Sequence, residues 1–171
     1  MRIALIGYGK MGKAIEEVAI QRGHSIVARV NSQQRIEMVD LSQADIAIEF
    51  SKPALAVSHI HYCLKHQIPI VVGTTAWNEQ LEEVKESVRT QNGSLLYASN
   101  FSLGVNIFFE INQHLARLMN GKTDYQACIE EIHHTQKLDA PSGTAISLAN
   151  DLLQNNSDYV SWVLGEEQKP H

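Results

Sequence analysis

Short apolar runs alternate with amphipathic stretches through the first hundred residues of the chain. Residues 2–6 read as a strand, and residues 10–22 as a helix stopped by Gly23. Residues 25–30 form a second strand. Residues 44–50 are almost wholly apolar, the pattern of a strand covered on both faces. Residues 53–66 then read as a helix, 68–72 as a strand, 78–90 as a polar amphipathic helix and 94–98 as a further strand. This spacing predicts an α/β fold, a parallel sheet with right-handed helical crossovers.

From Leu103 the rhythm changes. Residues 105–119 read as one long helix ended by Asn120-Gly121, 125–132 as a strand and 142–153 as a helix. Residues 161–164 read as the start of another strand, before a loop-like end at 165–171. The pattern predicts a domain boundary near Asn100 to Gly104, with one domain over 1–101 and a second, α+β domain over 102–171. One strand, one helix and the start of another strand cannot close a core, so the second domain is expected to be incomplete.

Composition narrows the classes of function. The chain has 171 residues, 44% hydrophobic and 19% charged, which is ordinary for a water-soluble protein. Its formal charge is −5, from 14 basic and 19 acidic residues, so no basic field recruits nucleic acid. No apolar run approaches the ~20 residues of a membrane helix. Met1-Arg2 leads directly into the first strand, so no signal peptide is expected. Cys63 and Cys128 fit no metal or redox spacing and read as free thiols of a reducing cytoplasm. His59, His61 and His66 read as ordinary helix residues rather than metal ligands.

Gly7-Tyr8-Gly9-Lys10-Met11-Gly12 is G-x-G-x-x-G between an expected strand and an expected helix. In such a loop Gly7 turns the chain, Gly9 lets backbone approach a pyrophosphate and Gly12 lets helix pack on strand. The motif in this context predicts a Rossmann-type dinucleotide-binding domain. The ribose position departs from the NAD pattern, because the second strand ends Ala28-Arg29-Val30-Asn31 with no acid. Asn31 can bond a ribose hydroxyl without repelling a 2′-phosphate, and Arg29 or Arg35 could attract one or be plain solvated charge. NADPH is therefore expected as cofactor, with NADH also accepted. Three more loops fall at carboxyl ends of expected strands, at Phe50-Ser51, Gly73-Thr74-Thr75 and Ser99-Asn100-Phe101. Singly each reads as a turn; on one edge of one sheet they read as a lining for nicotinamide and its ribose.

The densest chemistry lies at 130–144, Glu-Glu-Ile-His-His-Thr-Gln-Lys-Leu-Asp-Ala-Pro-Ser-Gly-Thr. His133, His134 and Lys137 can supply protons or bind an anion near neutral pH. Ser142 is an N-cap candidate, and the freed amides of the helix behind it can hold a carboxylate. The bland alternative is a strand end with surface histidines followed by a capped helix.

These blocks, together with the stretch Asn100-Phe101-Ser102-Leu103-Gly104-Val105-Asn106, resemble the dihydrodipicolinate reductase family in its own order along nearly the whole chain. The resemblance implies hydride transfer from NADPH or NADH to a small cyclic imine dicarboxylate in the diaminopimelate route to lysine. It implies His133 as the acid/base histidine, Lys137 as proton donor, and His134, Ser142, Gly143 and Thr144 as substrate contacts. It also implies Gly7, Tyr8, Gly9, Lys10, Met11, Gly73, Thr74, Thr75, Ser99, Asn100 and Phe101 as cofactor contacts, which join Gly12, Asn31 and Phe50 from the reading of the loops themselves. A cytoplasmic homo-oligomer, a tetramer by family habit, is expected, with no metal, nucleic acid or membrane. Members of the family continue past the position of His171, so a truncated member is expected. Two other readings stay open: another two-domain NAD(P) oxidoreductase, which does not explain Lys137 ahead of Ser142-Gly143-Thr144, and a non-catalytic nucleotide-binding fragment.

Overall fold

A computed structural model describes residues 1–133 and 140–165, and the chain divides into two compact units, Met1–Ser99 and Asn100–His171. In the first unit five strands build one parallel sheet: β1 (Arg2–Ile6), β2 (Ser25–Val30), β3 (Ile46–Glu49), β4 (Ile70–Val72) and β5 (Leu95–Tyr97). Their order is β2-β1-β3-β4-β5. The chain therefore steps from β1 to one side, then returns across β1 to continue on the other. That reversal puts the switch point of the sheet between β1 and β3, where open α/β sheets bind ligands.

Helices α1 (Lys10–Gln21), α2 (Pro53–Lys65) and α3 (Leu81–Thr90) make the crossovers. Pro53 stands at the start of α2, where its missing N–H costs nothing. Ala56, Ile60, Cys63 and Leu64 recur at helical spacing on α2 and are fully buried against Ala47, Ile70 and Val72. On the opposite face of the sheet Ile3 and Leu5 pack on Ala19 of α1. Gly23, at φ +76°, ends α1 in a left-handed turn that lets the His24 amide bond Ala19 O at 2.9 Å.

The second unit holds α4 (Leu103–Met119) and α5 (Gly143–Asn155). Ser142 caps α5, its hydroxyl accepting from the Ala145 amide at 3.0 Å. Polar bonds join the two helices: Asn112 Nδ2 donates to Leu148 O at 3.0 Å, Gln113 Nε2 to Asp151 at 3.1 Å and Arg117 to Asn155 at 2.8 Å.

Several expected bounds shift by a residue or two, and residues 78–80 form a 3₁₀ turn (Asn78–Gln80) ahead of α3. Two expectations fail. Neither 125–132 nor 161–164 forms a strand; both are irregular chain. A strand exists only through ladder bonds to a neighbour, and here the Ala127 amide instead donates to the Tyr159 hydroxyl at 2.8 Å. Tyr125, Ile129 and Ile132 accordingly stay exposed. Among the described residues no helix is long and apolar enough to cross a membrane.

Leu64→Ala removes a side chain buried under α2 and should cost about 2–5 kcal/mol. Leu96→Ala, on the exposed edge of β5, should cost less than about 0.5 kcal/mol. Urea denaturation checks both, and equal losses would contradict this placement of the core.

Candidate functional site

The loop after β1 has the shape that a pyrophosphate cradle requires. Gly7 lies at φ +91°, and a Cβ there would collide with the Phe50 carbonyl. A Cβ on Gly12 would come within 2.6 Å of Gly7 O, so only glycine lets α1 start this close. Gly9 differs: nothing lies within 4 Å of its Cβ direction, so open space faces its backbone. Lys10 and Met11, at the start of α1, are exposed, and the first-turn amides of a helix have no partner within it. The residues present thus fit a dinucleotide phosphate.

At the end of β2 the side chains have sorted themselves. Arg29 pairs with Glu16 of α1 and lies over the Tyr8 ring, 5.6 Å from its centroid, while the Tyr8 hydroxyl donates to the same carboxylate. Hydrogen bonds from Arg29 first, and then from Tyr8, hold the Glu16 carboxyl down to about 2. The bond to Glu16 likewise raises Tyr8 above its ordinary value. Asn31 is exposed, and its side-chain oxygen accepts the Gln33 amide at 2.9 Å, a bond that does not engage its NH₂ donors. Arg35 is 85% exposed at its side chain, 3.8 Å from Glu37.

Phe50 and Gly73 meet directly, since a Cβ on Gly73 would run into the Phe50 ring. Thr74 is buried; its hydroxyl accepts the Ser51 amide at 2.8 Å, and its carbonyl accepts from Trp77 Nε1 at 2.7 Å. Thr75 is exposed beside it. Gly7, Phe50 and Gly73 are thereby brought together at adjacent strand ends. Ser99 follows β5 and is exposed. Asn100 opens the second unit, where its side chain accepts the Ser102 amide at 2.8 Å and its carbonyl accepts from Asn106 at 3.0 Å. Phe101 is 46% exposed.

In the second unit Glu131 joins the two ends of the histidine segment. Its Oε2 lies 2.8 Å from His133 Nε2, and its Oε1 accepts the Ser142 amide at 2.8 Å. Bonds from Ser142 first and from His133 second hold this carboxyl down to about 2. An imidazole whose Nε2–H is held by a carboxylate keeps its other nitrogen for a ligand or a proton. At the start of α5 the Gly143 and Thr144 amides have no acceptor within the helix. Glu131 also lines a cavity of about 450 Å³, with Ile129, Pro141, Ala145 and Trp162. His134 and Lys137 lie outside the described residues.

Sequence reasoning missed Glu131, although an acid two positions before His133 in extended chain shares its side. It also missed Glu16 as the partner of Arg29, and read His59 as inert. His59 is in fact buried beside Glu49. No local signal joins residues ten or thirteen apart on different elements.

Models of the dihydrodipicolinate reductase family match the chain twice, its N-terminal part over 1–101 and its C-terminal part over 104–169. A 4-hydroxy-tetrahydrodipicolinate reductase of Christiangramia forsetii is 50% identical over 168 residues, covering 97% of this chain and 70% of the relative. One of Thermosipho africanus is 33% identical over 153 residues, covering 89% of this chain and 67% of the relative. Among solved structures, a dipicolinate-bound dihydrodipicolinate reductase from Paenisporosarcina sp. TG-14 superposes with a TM-score of 0.70 at 23% identity, covering 99% of this chain and 72% of that one; this likeness speaks for the fold. The chain belongs to the dihydrodipicolinate reductase family.

Glu131 generates a testable pH dependence. Its folded value near 2 lies below the ordinary 4.5. Its stabilising contribution is thus complete above about pH 4.5 and lost as pH falls toward 2. Urea midpoints taken across that window should fall more steeply for the wild-type chain than for Glu131→Gln. Parallel slopes would refute the role given to this carboxylate.

Proposed function

We propose that this member of the dihydrodipicolinate reductase family uses NADPH or NADH to reduce 4-hydroxy-tetrahydrodipicolinate, a cyclic imine dicarboxylate, to tetrahydrodipicolinate in lysine biosynthesis. The observation that carries the reading is Glu131, which bonds both His133 and the amide of the residue capping α5. One carboxylate thereby couples an acid/base group to an anion-binding turn. The family match and the glycine cradle support it.

When bound, the dihydronicotinamide supplies hydride. The chain's own residues do the rest. Residues 1–101 act as the dinucleotide-binding domain, with Gly7, Tyr8, Gly9, Lys10, Met11 and Gly12 around the pyrophosphate. Asn31 meets the ribose, and Phe50, Gly73, Thr74, Thr75, Ser99, Asn100 and Phe101 meet the remainder. Residues 102–171 act as the substrate domain. The Gly143 and Thr144 amides behind the Ser142 cap, together with His134, hold substrate carboxylates, as helix N-termini and cations do. Loss of the 4-hydroxyl as water gives the conjugated imine; hydride addition to it leaves negative charge on the ring, and a proton must reach it. A lysine ammonium carries a proton at neutral pH, and Lys137 donates it, with His133 as its acid/base companion. The same reading includes a cytoplasmic homotetramer.

The cofactor site should accept both nucleotides. No acid at the end of β2 repels a 2′-phosphate, and the NH₂ of Asn31 can donate to a hydroxyl or a phosphate. Arg29, engaged by Glu16, contributes little attraction.

Two measurements test this. Following NADPH absorbance with freshly formed substrate, Lys137→Ala should lower turnover about a hundredfold or more while cofactor affinity stays level. Undiminished turnover removes Lys137 from the mechanism, and binding without any consumption points to a nucleotide-binding fragment. Calorimetric titration of NADH and NADPH should give affinities within about tenfold, because only exposed charge separates them. Strong rejection of NADPH overturns the reading of Asn31.

A further inference from the structure

The carboxyl ends of β3 and β4 enclose a buried polar cluster. Glu49, the last residue of β3, is fully buried. Its Oε1 accepts from the Ser51 amide at 3.2 Å and from the Ser51 hydroxyl. His59 of α2, itself buried, places Nδ1 3.3 Å from the same carboxylate oxygen and 3.3 Å from Ser51 Oγ. The Ser51 amide also bonds Thr74 Oγ1 at 2.8 Å, so this one N–H is shared between β3's own end and the loop after β4. The second carboxylate oxygen, Oε2, is buried with no partner among the described residues.

Such a group is a poor choice for stability alone. A buried carboxyl with one unmatched oxygen costs free energy that an apolar residue of similar volume would not. What the cluster achieves is geometric. Glu49 and Ser51 flank Phe50, whose ring rests on Gly73 and whose carbonyl faces Gly7. Ser51 ties that segment to Thr74. Two strand ends, those of β3 and β4, are therefore tied to each other and to α2 by buried or half-buried side chains.

We propose that Glu49, Ser51 and His59 are positioning residues that set Phe50 against Gly73 and Thr74 for the nicotinamide half of the dinucleotide. This inference rests on the cofactor reading above. The adenosine half, assigned to Gly7–Gly12 and Asn31, does not depend on the cluster. Loss of the cluster consequently weakens the whole dinucleotide more than its ADP-ribose half.

Calorimetry on the full chain with two probes, NADPH and 2′-phospho-ADP-ribose, tests this. His59→Leu removes Nδ1, and Ser51→Ala removes the hydroxyl. Each should weaken NADPH about fivefold to tenfold, the worth of a hydrogen bond or slightly more, and change the ADP-ribose probe by less than about twofold. His59→Asn, which restores a nitrogen near Nδ1, should recover most of the affinity. If His59→Leu fails to fold, Ser51→Ala reads the same split. Variants that bind both probes as the wild type does, or weaken both equally, overturn the inference alone. Wild-type protein that binds neither probe overturns the cofactor reading and the inference with it.

Discussion

Each strand of the sheet is clipped to its neighbour at the point where it leaves the sheet. The Gly7 and Tyr8 amides both bond Val30 O, at 2.9 and 3.0 Å, the Phe50 amide bonds Ile6 O at 2.8 Å, and the Gly73 amide bonds Glu49 O at 2.9 Å. The parallel ladder thus runs on into the loops. Adjacent loops inherit the strand spacing of ~4.8 Å, which lines them up along one edge. This extension depends on the backbone of Phe50 passing where a side chain on residue 7 would be. Glycine at that position is a condition of the sheet's closure as well as of the phosphate cradle. Both demands fall on one residue because Gly7 leaves β1 at the switch point between β1 and β3.

The second unit is held by a different kind of force. Along α4 the side chains of Asn112, Gln113 and Arg117 reach α5, and Asn120 accepts from Ser157 at 3.0 Å just beyond the helix. The Gly121 amide adds a bond to Asp158 at 2.7 Å. Meanwhile Leu103, Ile107, Ile111, Leu115 and Leu118 of α4 are half or more exposed. Burial of Leu148, Ala149 and Ala116 is modest beside the core of the first unit. Directional bonds fix the register of two helices well, but each contributes only about 0.5–1.5 kcal/mol net. The sheet unit, with Ile60, Cys63, Leu64, Ile70 and Val72 fully buried, rests on apolar area instead.

Legibility in the sequence follows the same division. β1 and β2 were readable to the residue, because alternation and the Gly23 stop are local signals. The crossover helices were readable because their apolar spacing mirrors the face they bury. Residues 125–132 read as a strand from composition, but a strand is a relation between two segments, and among the described residues no segment pairs with them. The site divides likewise. G-x-G-x-x-G announces itself in six residues, and Ser142 announces its cap. Glu16 and Glu49 were silent, since each acts on a residue brought near only by folding; Glu131 was legible toward His133 but not toward Ser142, eleven residues on.

Those three acids have a common effect on their cations and imidazoles. Glu16 occupies Arg29, Glu49 faces His59 and Glu131 faces His133. In a chain of net charge −5, a basic group so engaged is fixed in direction and reduced as a source of long-range attraction. On the proposed cofactor reading, with Asn31 at the ribose, this bears on selectivity, which is a difference between two affinities rather than the size of either. With Arg29 engaged, a 2′-phosphate gains little from it. With no acid at the end of β2, the phosphate loses little either. The neutral amide of Asn31 can donate to a hydroxyl or to a phosphate. In the proposed site Arg29 adds little attraction and no acid at the end of β2 adds repulsion, which is what would make it permissive.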